Sequence, residues 1–159
     1  MEEKKAMSDT VEIRLATKVE IPALVGFNVE MAMETEGRKL PAEVIEAGVA
    51  GIFERPGRGF YLVATFGEEV VGSLMVTMEW SDWRNGDFWW VQSVYVLPER
   101  RGCGVFRALY ERVREMAAGS EEVCGCRLYV EKENRAAQAV YRRLGLEETP
   151  YRLFEDSFD

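Results

Sequence analysis

Hydrophobic and polar positions along this chain change period several times, and each change marks an element. Val11 to Leu15 alternates apolar and charged residues, the period of a half-buried strand. Thr17-Lys18-Val19-Glu20 has the spacing of a capping box. Leu24, Phe27 and Met31 then recur at helical spacing, which predicts a helix through about Met33. Pro41 opens a second helix carrying Val44, Ile45, Val49 and Ile52, and Pro56-Gly57 stops it. Phe60 to Phe66, the turn Gly67-Glu68-Glu69 and Val70 to Trp80 form an expected antiparallel hairpin. Ser81 to Asp87 contains Asn85-Gly86, a turn signal, and Phe88 to Val96 is the next strand, closed by Pro98.

The second half repeats the alternation of strand and helix. After Arg100-Arg101-Gly102-Cys103-Gly104, the apolar Val105, Leu109, Val113 and Met116 share one helix face. Cys124 to Val130 reads as a strand. Asn134 caps a last helix bearing Ala137, Val140, Tyr141 and Leu144, with Gly145 at the position of a C-terminal cap. Tyr151 to Phe154 is expected to close the fold as a strand. The order is β-α-α-β-β-β-α-β-α-β. It describes an α/β (α+β) chain with a mixed, mostly antiparallel central sheet flanked by about four helices. No repeat or long linker interrupts it, so 11–159 reads as one domain behind a polar, flexible N-terminus over 1–10.

Charge and composition narrow the function. With 28 acidic and 20 basic residues the net charge is −8, which disfavours nucleic-acid phosphates and anionic membranes and favours cationic small molecules. Histidine is absent, which removes Ser-His-Asp and Cys-His chemistry and most zinc sites. The three cysteines, Cys103, Cys124 and Cys126, are too few and odd in number for a disulfide framework, and Cys124-Gly125-Cys126 reads as strand rather than metal ligand. No metal is expected. Met1 to Thr10 has no apolar core for a signal peptide, and no apolar run approaches the roughly 20 residues that span a bilayer. The expectation is a soluble, cytoplasmic protein.

Chemistry concentrates between Val94 and Leu109. A strand ends at Pro98, two arginines and a Gly-x-Gly follow, and a helix begins; glycines permit a tight turn, and a helix start presents N–H groups and partial positive charge to an anion. Leu97 to Arg107 holds three arginines and one acid, a basic stretch in an acidic chain. Neither GxxxxGK(S/T) nor GxGxxG is present, since Arg107 stands where the third glycine of the latter belongs.

This region resembles the GCN5-related N-acetyltransferases (GNAT). Their signature is Gln or Arg, two free positions, Gly, one free position, then Gly or Ala, and it overlays Arg101-Gly102-Cys103-Gly104-Val105-Phe106, with Phe106 as the departure. Val94-Tyr95-Val96-Leu97-Pro98 is similar to the family's fourth strand and its exit. The run Asn134, Ala137, Tyr141, Gly145, Leu146 is similar to N-x-x-A-x-x-x-Y-x-x-x-G-F, with Leu146 for Phe.

The resemblance implies acetyl-CoA as co-substrate. Its pantetheine arm would pair with Val94, Tyr95 and Val96, and its pyrophosphate would rest on the turn Arg101, Gly102, Cys103, Gly104, Val105, Phe106 and Arg107, with Arg100 and Asn134 as further contacts. It also implies direct attack of an amine on the thioester, with Tyr141 as general acid. Family members often carry a carboxylate base on the fourth strand, but Trp89-Trp90-Val91-Gln92-Ser93 has none. Glu34, Glu36, Glu79 and Glu131 are the alternatives, and Glu79 is taken as the candidate base. Trp80, Trp83, Trp89 and Trp90 suit core or dimer packing, so a homodimer is compatible. The expected activity is transfer of acetyl to a small cationic amine or a peptide amine. A non-catalytic acyl-CoA-binding module on the same fold is the rival, and a different donor such as succinyl-CoA would differ only in pocket size.

Overall fold

A computed structural model describes residues 10–158 of the chain. The flexible N-terminus expected over 1–10 lies, except for Thr10, outside the described residues. The chain divides into two compact units, one ending at Leu128 and the other beginning at Tyr129.

The first unit is built on five strands in the order β1-β2-β3-β4-β5. These are β1 (Glu12–Leu15), β2 (Gly59–Phe66), β3 (Glu69–Ser81), β4 (Gly86–Val96) and β5 (Val123–Arg127). All neighbours pair antiparallel except β4 and β5, which are parallel because a helix crosses over between them. Helices α1 (Ile21–Glu36) and α2 (Ala42–Glu54) cover one face, and α3 (Val105–Ala118) covers the other.

Alternation along β2 assigns the faces. Tyr61 and Val63 are buried with Leu24 of α1 and Val49 of α2, while Ile45, Ile52 and Met75 pack around that cluster. Leu62 and Ala64 point the other way, toward the face where Val105, Leu109 and Val113 of α3 are buried. The capping box forms as expected: Thr17 N–H donates to Glu20 Oε2 at 2.6 Å at the head of a 3-10 turn, Lys18–Glu20, that leads into α1. Glu20 is buried, and Arg14 donates to its Oε1 at 2.5 Å.

In the second unit, α4 (Arg135–Arg143) is capped by the Asn134 side chain, which accepts from Ala137 N–H at 3.1 Å. Gly145 follows with φ of 91°, the left-handed conformation that ends a helix. The expected closing strand is absent: Tyr151, Leu153 and Phe154 are exposed and outside any strand. Alternation there lacks a ladder partner, and a strand needs one for its N–H and C=O groups. β5 is also shorter than the expected Cys124 to Val130, because its register with β4 ends at Trp90↔Arg127. Core packing of the four tryptophans fails for two of them, since Trp80 and Trp83 (88% exposed) stand in solvent around the β3–β4 turn. Trp89 instead meets Phe60 edge-on at 5.2 Å.

Candidate active site

The site is created by a change of pairing along β4. From Asp87 to Trp90 the strand bonds β3 on one side and β5 on the other. Beyond Trp90 the β5 side has no strand partner among the described residues, so backbone N–H and C=O groups between Val91 and Val96 face an opening. The β3 side is irregular over the same stretch. Ser73 pairs with Tyr95 and Met75 with Gln92, so Leu74 opposes both Ser93 and Val94 in a bulge. Ser93 takes φ of 50°, a conformation that non-glycine residues rarely adopt.

β4 then leads through a 3-10 turn, Pro98–Arg100, into the glycine turn. Gly102 (φ 75°) and Gly104 (φ 80°) are both left-handed, and among the described residues no heavy atom beyond the flanking residues lies within 4 Å of where a Cβ would stand on either. Space above the turn is therefore open. The first helical bond of α3 runs from Ala108 N–H to the Gly104 carbonyl at 3.0 Å, and no side chain caps the helix. Such a start aims donors and partial positive charge outward. An anion with an extended arm fits this combination of open turn and open strand edge.

The expected arginine contacts all have partners within the protein. Arg100 lies 4.5 Å over the Phe66 ring and 3.9 Å from Glu69. Arg107 pairs with Glu111 one turn along α3 at 2.9 Å. Arg101 donates through Nε to the Val96 carbonyl at 2.9 Å and through a terminal nitrogen to Glu34 of α1 at 2.8 Å. Phe106, in the place of a small residue, stacks on Tyr110 of its own helix at 6.1 Å.

Val94, Tyr95, Val96 and Arg101 come together around a cavity of ≈ 300 Å³, joined by Met31, Glu34 and Thr35 from α1. Tyr95 is buried, packs tilted against the Phe27 ring at 5.1 Å and reaches Glu34 with its hydroxyl at 3.4 Å. Burial, then the charge of Glu34, pushes the Tyr95 hydroxyl above its ordinary pKa. Glu34 and Ser93 thus emerge as site residues beyond the motif. Glu34 was visible only as one acid among several, and no residue type flagged the bulge.

The four candidate bases fall in different places. Glu79 sits on β3 opposite Phe88 and is bound by Arg127 at 2.6 Å, so it adjoins the closed part of the β4–β5 pair. Glu34 adjoins the cavity, whereas Glu36 is exposed at the end of α1. Glu131 accepts from Glu133 N–H at 2.7 Å in the second unit. That unit also carries Tyr141, half-buried on α4, and burial pushes its hydroxyl above the ordinary phenol value. Among the described residues no group of three or more acidic, Cys or His side chains could hold a metal ion, and no helix is long and apolar enough to cross a membrane.

Comparison with known proteins agrees with this geometry. Residues 27–146 match the Acetyltransferase (GNAT) family. The chain is 40% identical to a possible acetyltransferase from Clostridium difficile 630, covering 95% of this chain and 99% of that one with a TM-score of 0.87. An integron cassette protein from the mobile metagenome of Cole Harbour salt marsh is 24% identical over 92% of this chain and 90% of that one (TM-score 0.81). Aminoglycoside N-acetyltransferase AAC(6')-Iy, in complex with CoA, is 17% identical over 94% of this chain and 96% of that one (TM-score 0.76). These last two likenesses speak to the fold alone. No curated protein matches the sequence. Motif, fold and the family match over most of its length agree, and the chain belongs to the Acetyltransferase (GNAT) family.

Proposed function

We propose that this protein is an acetyl-CoA-dependent N-acetyltransferase acting on a primary amine, either a small cationic amine or a peptide amine. The observation that carries the reading is the opening of β4 beyond Trp90, set directly before the uncapped start of α3. An extended arm pairs there as an added strand would, and a pyrophosphate rests on the glycine turn. Among proteins of this fold, AAC(6')-Iy has been seen with CoA.

The chemistry is direct attack of the neutral amine on the thioester within a ternary complex. A backbone N–H in the open part of β4 stabilises the oxyanion, a contact class worth about 3 kcal/mol. Tyr141 protonates the departing thiolate, a phenol being protonated at neutral pH. Asn134 serves as a further donor contact. The amine, with a pKa of about 10, must shed its proton first. Glu79 is the candidate acceptor of that proton, through water, and the acidic net charge favours a cationic substrate. We read 11–159 as one functional domain acting in the cytoplasm, with a homodimer compatible with its exposed tryptophans.

A non-catalytic acyl-CoA-binding role is the second reading. It is favoured by one observation, that Glu34 and Glu79 are both already bound by arginines. A thermal-shift titration with acetyl-CoA tests donor binding: at a hundred times Kd the ligand adds about 2.7 kcal/mol to stability. No shift removes both readings. Thiol release across a panel of amines then separates enzyme from binder.

A further inference from the structure

The turn that would receive the donor has almost no packing of its own. Arg101, Gly102, Cys103 and Gly104 are all exposed, and space around the two glycines is open. Among the described residues the Cys103 thiol has one hydrogen-bond contact, at 3.7 Å to the Arg101 carbonyl. The left-handed glycines on either side of Cys103 also leave the backbone free to take other paths. A loop built this way needs an external anchor to hold its amides in one arrangement.

That anchor is the Arg101 side chain. Its Nε bonds the carbonyl of Val96, the last residue of β4, and so ties the turn back across the Pro98–Arg100 segment. Its terminal nitrogen bonds Glu34, 67 residues earlier on α1. Its guanidinium also lies 5.4 Å over the ring of Tyr95, whose hydroxyl reaches the same carboxylate. A guanidinium fork is suited to fixing two acceptors at once. The Glu34 and Arg101 side chains are 37% and 46% exposed, so their ion pair adds little to global stability. Its effect is local, on where the turn sits.

We propose that Glu34 is a positioning residue of the donor site, acting through Arg101 to hold the phosphate turn in its binding shape. This role rests on the donor reading above. Arg101 is then an internal strut, and the pyrophosphate is held by the backbone amides the strut keeps in place. In this role Glu34 acts on the donor through Arg101, and α1 thereby tunes donor affinity.

Backbone NMR order parameters in the ligand-free protein, acetyl-CoA affinity and a double-mutant cycle test the role together. E34A should lower the order parameters of the turn from 102 to 104 and weaken acetyl-CoA about tenfold. The melting temperature of the ligand-free protein should stay within about 2 °C. E34Q retains an acceptor for Arg101 and should recover part of the loss. In an R101A background, E34A should have no further effect, because the two residues act as one unit. Unchanged order parameters in the turn overturn the proposal, as do additive losses in the cycle. Absence of acetyl-CoA binding by the wild type overturns the donor reading. The order parameters of the ligand-free turn tell that failure apart from failure of the strut.

Discussion

The two halves of β4 share one strand and differ in almost every physical respect. Asp87 to Trp90 is bonded on both edges, and Phe88 is buried between its neighbours with Arg127 at 3.5 Å over its ring. Val91 to Val96 is bonded on one edge, bulged at Ser93, and next to a cavity and an open turn. The closed half therefore stabilises the sheet, and the open half leaves backbone groups available to a partner. A stable ladder and an unsatisfied edge cannot occupy the same residues, so the fold separates them along the strand.

Chemistry offers the largest effect. With the open half holding the donor and Tyr141 supplying the proton, Tyr141→Phe should lower kcat about 10²-fold and leave acetyl-CoA affinity nearly unchanged. Steady-state kinetics and calorimetric titration measure the two separately. An unchanged kcat with chemistry rate-limiting removes Tyr141 from the scheme. The alkaline limb due to this group should lie above pH 10, its ordinary value being 10.0 and its shift upward.

The closed half should respond in stability instead. A Cβ on Gly125 would stand 2.9 Å from the Phe88 ring, so Gly125→Val should cost about 2 kcal/mol by overpacking. Thermal melts check this, and the folded fraction should still bind acetyl-CoA. Gly104→Ala is the converse. Its φ of 80° is strained for any L side chain, at about 1–2 kcal/mol, yet nothing clashes with the added methyl. Donor affinity should fall with it, about tenfold, as the turn amides move.

The smallest effect belongs to a region remote from both halves. Arg14 first, with help from Thr17, holds the Glu20 carboxyl at about 2 against an ordinary 4.5. Its contribution is complete above pH 4.5 and fades as pH falls toward 2, where the folded state also becomes protonated. Glu20→Gln should cost about 1 kcal/mol at neutral pH and flatten the acid limb of stability. Donor affinity should not change.

Local patterns made much of this fold legible. Helical spacing placed α1, α2 and α3, since their buried faces repeat every three or four residues, and the turn at Asn85-Gly86 placed the β3–β4 connection. The glycine turn and the cap at Asn134 were legible because each rests on consecutive residues. What escaped depends on distant partners. The bulge arises from register against β3, and Ser93 has no side-chain signal for φ of 50°. The bond from Arg101 to Glu34 joins residues that nothing in the sequence brings together. Tyr151 to Phe154 erred the other way, where alternation existed without a neighbouring strand to bond.

Amide hydrogen exchange with and without saturating acetyl-CoA tests the central claim most directly. Binding should slow exchange in Val91–Val96 and at the turn from 102 to 107, while Asp87–Trp90, already bonded on both edges, changes little. Protection confined to the closed half, or none in the open half at saturation, would contradict the account.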